Sequence, residues 1–489
     1  MGTFVKRLQD IMRNDAGVNG DAQRIEQMTW LLFLKIYDAK EEIWELHRDN
    51  YTSIIPENLR WRNWAVDEKD GNALTGEKLL EFVNTELFPH LKAIEVDDTT
   101  PMHKLIVRNA FEDAYNYMKD GVLLRQVVNV VDEIDFTEHM ERHAFGEIYE
   151  NILKDLQSAG NSGEFYTPRA VTDFLVQVIK PTIDDKIADF ACGTGGFLTS
   201  ALNYLSPQVR TPEDKEKYNE SVFGVEKKAL PHLLCVTNLL LHDIDDPKIY
   251  HGNSLDKAVK EYKESKGDCF DVILMNPPYG GNEKDSIKNN FPPELRSSET
   301  ADLFVSLILY RLKRTGRAGI VLPDGFLFGT DNAKTAIKEK LLTECNLHTV
   351  IRLPHSVFAP YTSITTNLLF FKKGKSTEKT WFYRMDMPSG YKNFSKTKPI
   401  KADHFAPVLQ WLENPVKIVE DGFDKAKCYT VDELKAKNYN LDLCGFPHEE
   451  EEILEPKELL EQYHTKKTEL NEKIEGILTE LLELLEEAQ

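Results

Sequence analysis

The run Lys186-Ile187-Ala188-Asp189-Phe190-Ala191 reads as a short buried strand. It breaks directly into Cys192-Gly193-Thr194-Gly195-Gly196 before a second apolar run, Phe197 to Leu205, takes over. A glycine-rich turn between a strand and a helix lets a ligand approach the backbone and offers it the unpaired N–H groups of a helix start. That unit constrains the chain to a strand-turn-helix block of the kind that builds parallel α/β sheets. An ordinary tight turn is the alternative reading. The spacing of Gly193, Gly195 and Gly196 is GxGG and not GxGxxG, which argues against a nicotinamide dinucleotide. Beyond the turn, the strand Ser221 to Val225 ends in Glu226, a carboxylate placed to accept ribose hydroxyls.

The alternation continues. An apolar helix from Leu230 to Leu241, with Pro231 in its first turn, precedes the strand Lys248 to His251 and the turn Gly252-Asn253-Ser254. Then come an amphipathic segment, Leu255 to Tyr262, and the strand Phe270 to Met275. Further on we expect a helix from Glu299 to Leu312, a strand from Arg317 to Pro323, a helix from Ala333 to Leu342, and strands Thr349 to Leu353 and Thr366 to Phe371. Repeated strand-helix order implies right-handed crossovers, a parallel sheet of seven strands, and ligands at the carboxyl ends of the strands. Asn253 lies at such an end. It reads either as a residue that meets the adenine edge of a cofactor or as part of a plain turn.

Straight after Met275 stands Asn276-Pro277-Pro278-Tyr279. A side-chain amide, a carbonyl fixed by two prolines and an aromatic face leave the strand together, which suits a planar amine. The exocyclic amine of adenine is a poor nucleophile because its lone pair is delocalised into the ring, so alkylating it needs acceptors on its protons. Asn276 and the carbonyl of Pro277 provide them, preorganised by proline's fixed φ. Tyr279 is positioned to stack on a base swung out of a duplex. A strand-ending turn is again the bland reading. The stretch from Tyr279 to Ser298 is too polar for core and is expected to be a mobile loop near nucleic acid.

Three motifs in this order, Gly163-Glu164-Phe165-Tyr166-Thr167-Pro168-Arg169, Asp189-Phe190-Ala191-Cys192-Gly193-Thr194-Gly195-Gly196-Phe197 and Asn276-Pro277-Pro278-Tyr279, resemble the modification subunit of type I restriction-modification systems. The resemblance covers nearly the whole chain. It implies a Rossmann-like fold of the S-adenosylmethionine-dependent methyltransferases and an adenine-specific DNA methyltransferase activity. It also implies that Glu164, Phe165, Tyr166, Thr167, Pro168 and Arg169, the turn Thr194-Gly195-Gly196 and Glu226 contact the methyl donor. Asp189 or nearby carbonyls would attract its ammonium, and the N–H groups from Thr194 to Phe197 its carboxylate. Thr167 is a plausible N-cap for a helix from Arg169 to Ile179, with Pro168 at the first helical position. The chemistry requires no metal and no covalent nucleophile.

Net charge is −21, an unusual value for a protein that acts on DNA. From Glu449 to Gln489 fourteen glutamates face four lysines, so about half of the excess lies in the tail. Between the glycine turn and Asn276 the alternation uses every residue, and the residues beyond Phe371 run into that acidic tail. No segment is left to read a DNA sequence. A separate specificity subunit is therefore expected, and the resemblance adds a second copy of the modification subunit and the restriction motor subunit as partners on double-stranded DNA. This chain has no GxxxxGK[ST] loop and is not itself the motor.

The chain divides into three regions: a helical bundle over 1–157, a methyltransferase domain over 158–425 and a helical, partner-docking region over 426–489. Tyr463, Leu470, Ile477 and Leu484 recur every seven residues, interleaved with Ile474 and Leu481, which reads as a coiled-coil stripe or as a helix packed on its own domain. The stretch Gln157 to Gly163 reads as a hinge. Six scattered cysteines without a CxxC pair suggest a reduced, cytoplasmic protein without zinc, and no apolar run is long enough to span a membrane. Two rivals stand beside this reading: a methyltransferase acting on a protein glutamine, and a non-catalytic scaffold.

Overall fold

The computed structural model describes residues 2–67, 73–97, 100–138, 145–146, 149, 166–359, 362–420 and 422–445, together with scattered residues between 460 and 479. Met1–Gly445 forms one compact unit and Phe446–Gln489 a second. The expected hinge at 157–163 lies outside the described residues.

Beyond residue 166 the described residues build a sheet of ten strands: β1 (Ile187–Asp189), β2 (Val222–Glu226), β3 (Lys248–His251), β4 (Phe270–Met275), β5 (Leu312–Pro323), β6 (Cys345–Arg352), β7 (Thr366–Lys373), β8 (Lys379–Arg384), β9 (Ile418–Glu420) and β10 (Phe423–Thr430). Their order is β3-β2-β1-β4-β5-β7-β6-β8-β10-β9. The first seven are the strands expected from the sequence, and β3, β2, β1, β4 and β5 pair in parallel. β7 enters antiparallel between β5 and β6. The sheet then extends by three more strands, so the expected count of seven is too low. β8 and β10 escape notice because each mixes charged and apolar residues, and β10 carries the unit past the boundary expected at 425.

Successive residues of β4 point into opposite cores. Val272 and Leu274 join the cluster on one face, while Ile273 and Met275 join the other. A strand segment covered on both faces must be apolar throughout, which is why Val272 to Met275, beyond the half-buried Asp271, reads as an unbroken run. Helices Arg169–Ile179, Gly196–Leu205 and Ala229–Leu241 cover the first face; Thr300–Arg311 and Asn332–Glu344 cover the second.

Two segments differ from expectation. Leu255 to Tyr262 is no helix beyond the short turn Val259–Glu261, because Asn253 Oδ1 caps the Leu255 N–H at 3.1 Å and the Val259 N–H is drawn to the Asn290 carbonyl. The polar stretch 280–298 is tied down. Phe291 and Leu295 are buried, Asn282 bridges to Glu299, and Ser297 donates to buried Asp302, which also pairs with Lys334 at 2.9 Å.

The N-terminal residues are helical as expected, with long helices Gly2–Arg13, Asp21–His47, Met102–Glu112 and Gly121–Asp132. Helices Asp21–His47 and Met102–Glu112 pack against Ala229–Leu241, one of the helices that cover the sheet. Lys40, itself buried, closes that junction by pairing with Asp243 at 2.7 Å and Asp245 at 3.2 Å. In the second unit the described residues are helical, and Tyr463, Leu470, Ile474 and Ile477 of the seven-residue stripe are exposed; Leu481 and Leu484 lie outside the described residues.

Removing the cation while its two carboxylates stay in place is the costly way to break a buried pair. Lys40→Ala should lower the stability of the chain by about 2–3 kcal/mol in a urea titration, less than a fully buried pair because the carboxylates keep some water. An unchanged midpoint would show that the junction does not depend on this pair.

Candidate active site

The site forms where β1, β2, β3 and β4 end. The backbone at Gly193 and Gly195 has φ of +53° and +84°, the left-handed region where side chains are strained. At Gly195 a Cβ would also lie 2.9 Å from the Cys235 sulfur. Glycine is thus favoured at 193 and needed on two counts at 195, and the turn swings into the helix Gly196–Leu205.

Glu226 braces that turn. Its Oε2 accepts the Gly193 N–H at 2.9 Å and its Oε1 accepts the Lys228 N–H at 2.8 Å. Behind the turn, Asn238 donates to the Thr194 carbonyl at 3.3 Å. Arg169 donates to the Gly196 carbonyl and reaches Ser200 Oγ at 3.5 Å. Asp189 is 1% exposed and accepts the Ala191 N–H at 3.0 Å. Burial, with Glu226 adding to it, pushes the Asp189 carboxyl up to about 8. The neighbouring Cys235 thiol and burial together push the Cys192 thiol well above its ordinary range, so Cys192 stays a neutral wall of the pocket.

Asn276 leaves β4 at the same edge. Its Nδ2 donates to Thr167 Oγ1 at 3.0 Å, and its Oδ1 accepts the hydroxyl of Tyr279. Thr167 therefore does not cap the helix Arg169–Ile179. Pro168 occupies the cap position, one place earlier than expected, and the Thr167 hydroxyl is spent on Asn276. Tyr279 is turned toward the sheet, with its hydroxyl 3.5 Å from the Val321 carbonyl, and burial raises its pKa so that it remains a donor.

One cavity of about 310 Å³ joins these parts. Tyr166, Thr167, Asp189, Thr194, Gly196, Glu226, Asn253, Asn276 and Pro277 all line it. Pro168, Arg169, Gly195 and Tyr279 stand behind the wall, and Glu164 and Phe165 lie outside the described residues. Pro231 and Leu234 supply an apolar side, Thr300 and Phe304 close it near Asn276, and Ser254 donates to the Phe190 carbonyl at 2.6 Å. Sequence reasoning missed Ser254, Asn238, Thr300 and Phe304. A lone asparagine inside the apolar run Leu230 to Leu241 was the only signal for Asn238. Among the described residues no group of three or more His, Cys, Asp or Glu is arranged to hold a metal, and no helix is long and apolar enough to cross a membrane.

The donor set suits S-adenosylmethionine. A buried carboxyl held near 8 lacks a cation and matches an ammonium; a helix start matches a carboxylate; Glu226 matches a ribose diol; and Asn253 beside Pro231 and Leu234 matches an adenine ring.

Residues 140–453 match the N-6 DNA Methylase family, and residues 1–131 match the HsdM N-terminal domain. The EcoEI type I restriction enzyme methylase subunit of Escherichia coli is 50% identical over 481 residues, 96% of each chain. The modification subunit of a putative type I restriction enzyme from Vibrio vulnificus superposes with a TM-score of 0.77 at 39% identity, covering 88% of this chain and 92% of its own. A chain solved in work on complex assembly and conformational transition of the type I R-M system gives 0.79 at 33% identity, covering 99% and 98%. With a fold, a cavity and relatives that agree along its length, this chain belongs to the N-6 DNA methylase family and, within it, to the methylase subunits of type I restriction enzymes.

Proposed function

We propose that this chain is the methyl-transferring subunit of a type I restriction-modification complex, alkylating the exocyclic amine of adenine in DNA. The observation that carries the reading is the shared cavity: Asn276 and Pro277 line the same space as Asp189, the glycine turn and Glu226. When bound, S-adenosylmethionine would supply an electrophilic methyl on a sulfonium, the carbon–sulfur bond breaking as the amine nitrogen bonds to the carbon, with a neutral thioether as the leaving group. Asn276 Oδ1 and the Pro277 carbonyl accept hydrogen bonds from the amine and aim its lone pair, and the excess proton on the alkylated amine passes to solvent. Positioning and exclusion of water supply most of the acceleration.

Thr167 acts as a positioning residue, because its bond to Nδ2 fixes which face of the Asn276 amide points into the cavity. The Tyr279 hydroxyl holds the Asn276 acceptor until an adenine amine replaces it, and in this reading the ring then turns out from behind the cavity wall to stack on the extruded base. Sequence recognition belongs to a separate specificity subunit, and the exposed stripe of the C-terminal helix suits a coiled coil with such a partner. A second copy of this chain and the motor subunit complete the assembly. Six cysteines, none in a disulfide, support a cytoplasmic location.

Asn276→Ala in the assembled complex should lose about 10²–10³-fold in methyl transfer while still binding cofactor; full activity in that variant would end the assignment. Tyr279→Phe should stay within about tenfold of the parent, since the hydroxyl's single bond to Asn276 is in any case given up to the adenine amine. Tyr279→Ala should lose about 1–3 kcal/mol of stacking on the base. Equal losses in the two variants would remove the ring from the account.

The Asp189 carboxyl, near 8 without a cation, must ionise to hold an ammonium. Cofactor binding therefore releases a proton below pH 8, and affinity should rise with pH from 6 to 8 and level off above. Titration calorimetry in buffers of different ionisation enthalpy reads that proton. If Asp189→Asn shows the same pH profile, Asp189 is not the partner of the cation.

A further inference from the structure

β8 runs parallel to β6, β6 antiparallel to β7, β7 antiparallel to β5, and β5 parallel to β4. The chain that leaves β8 at Arg384 therefore emerges at the same edge of the sheet as Asn276. Four strand places separate the two, roughly 19 Å at about 4.8 Å per place.

That exit is basic. Between Met387 and Ala402 stand Lys392, Lys396, Lys398 and Lys401 without one Asp or Glu, in a chain of net charge −21. All four lysines are exposed. The backbone that carries them is held in place. Phe394 is buried, its N–H donates to Ser356 Oγ at 2.9 Å, and Asn393 Oδ1 meets His355 Nε2 at 2.7 Å. Ser395 and Lys398 exchange backbone hydrogen bonds at 3.1 Å. His355 and Ser356 belong to the connection after β6, which leaves the sheet at the catalytic edge too. The lysines are thus presented from a fixed platform on the rim that holds the cavity.

We propose that the segment Met387–Lys401 grips the phosphate backbone of the duplex whose adenine is delivered to Asn276. This rests on the reading of the chain as a DNA methyltransferase. The two strand exits, roughly 19 Å apart, are separated by about half of a helical repeat of 34–36 Å, so a loop rooted at the second is within reach of phosphates flanking the extruded nucleotide. Lysine ammoniums act as point charges that position a backbone without reading bases. Such a contact suits a subunit whose sequence recognition comes from elsewhere.

The test uses the full-length chain co-purified with its recognition subunit, carrying Lys392→Gln, Lys396→Gln and Lys398→Gln together. Affinity for a duplex that accepts methyl groups is measured by fluorescence anisotropy over a range of salt concentrations. The slope of log K against log salt should shrink by about 2–3, at about 0.9 per phosphate contact, with cofactor affinity unchanged. A matched variant, Lys260→Gln with Lys263→Gln and Lys266→Gln, alters exposed lysines in the connection before β4, at the opposite edge, and should keep the parental slope. An unchanged slope in the first variant, while methyl transfer persists, overturns the proposal and leaves the enzymatic reading intact. So does an equal drop in the matched variant, or loss of the recognition subunit in place of loss of DNA. A parent complex that neither binds nor methylates DNA overturns both.

Discussion

β1 pairs in parallel with β2 on one side and β4 on the other, and everything chemical in this chain depends on that central triplet. Parallel strands end together, so Asp189, Glu226 and Asn276 reach one edge although they are far apart in sequence. Once there, each is held by something other than a ligand. Glu226 spends an oxygen on each of two backbone N–H groups, Asp189 takes one from Ala191, and Asn276 is clasped by Thr167. Groups fixed in this way need little reorganisation when charge shifts during reaction, which is the condition under which fixed dipoles accelerate most.

Much of this was legible because local chemistry forced it. The left-handed backbone at 193 and 195 favours glycine, and a strand segment buried on both faces has to be apolar from Val272 to Met275. What remained hidden depends on contacts distant in sequence. The bond from Asn276 to Thr167 spans 109 residues, and nothing in either motif announces it; the sequence makes Thr167 a helix cap. The apolar spacing of Leu255 to Tyr262 suggests a helix, but bonds to Asn290, distant in sequence, win over local propensity. Likewise the polar stretch after Tyr279 hides two buried anchors, Phe291 and Leu295, whose value appears only when the second face of the sheet is assembled.

The net charge looks hostile to DNA until distance is taken into account. At physiological salt the screening length is about 8 Å, so a phosphate responds to the charges beside it and not to the sum over the chain. Fourteen glutamates against four lysines in the last forty-odd residues supply about half of the total. They say little about a rim that carries four exposed lysines and no acid between Met387 and Ala402. An acidic protein can in this way keep its general affinity for polyanions low while offering one place where a duplex is welcome.

The N-terminal helices bear on the cavity through the helix Ala229–Leu241. Helix Ala229–Leu241 is buried from Pro231 to Leu241, with helices Asp21–His47 and Met102–Glu112 packed against it. Toward the cavity, Asn238 holds the Thr194 carbonyl and Cys235 fills the space that a side chain at Gly195 would need. At its end Lys40 locks Asp243 and Asp245. A close-packed helix of this kind moves as a body, because small shifts are resisted on every side. Whatever the N-terminal helices touch in the assembled complex, a second copy or DNA, therefore acts on the same helix that supports the glycine turn. The N-terminal helices do not line the cavity themselves; they pack against the helix whose Pro231 and Leu234 do.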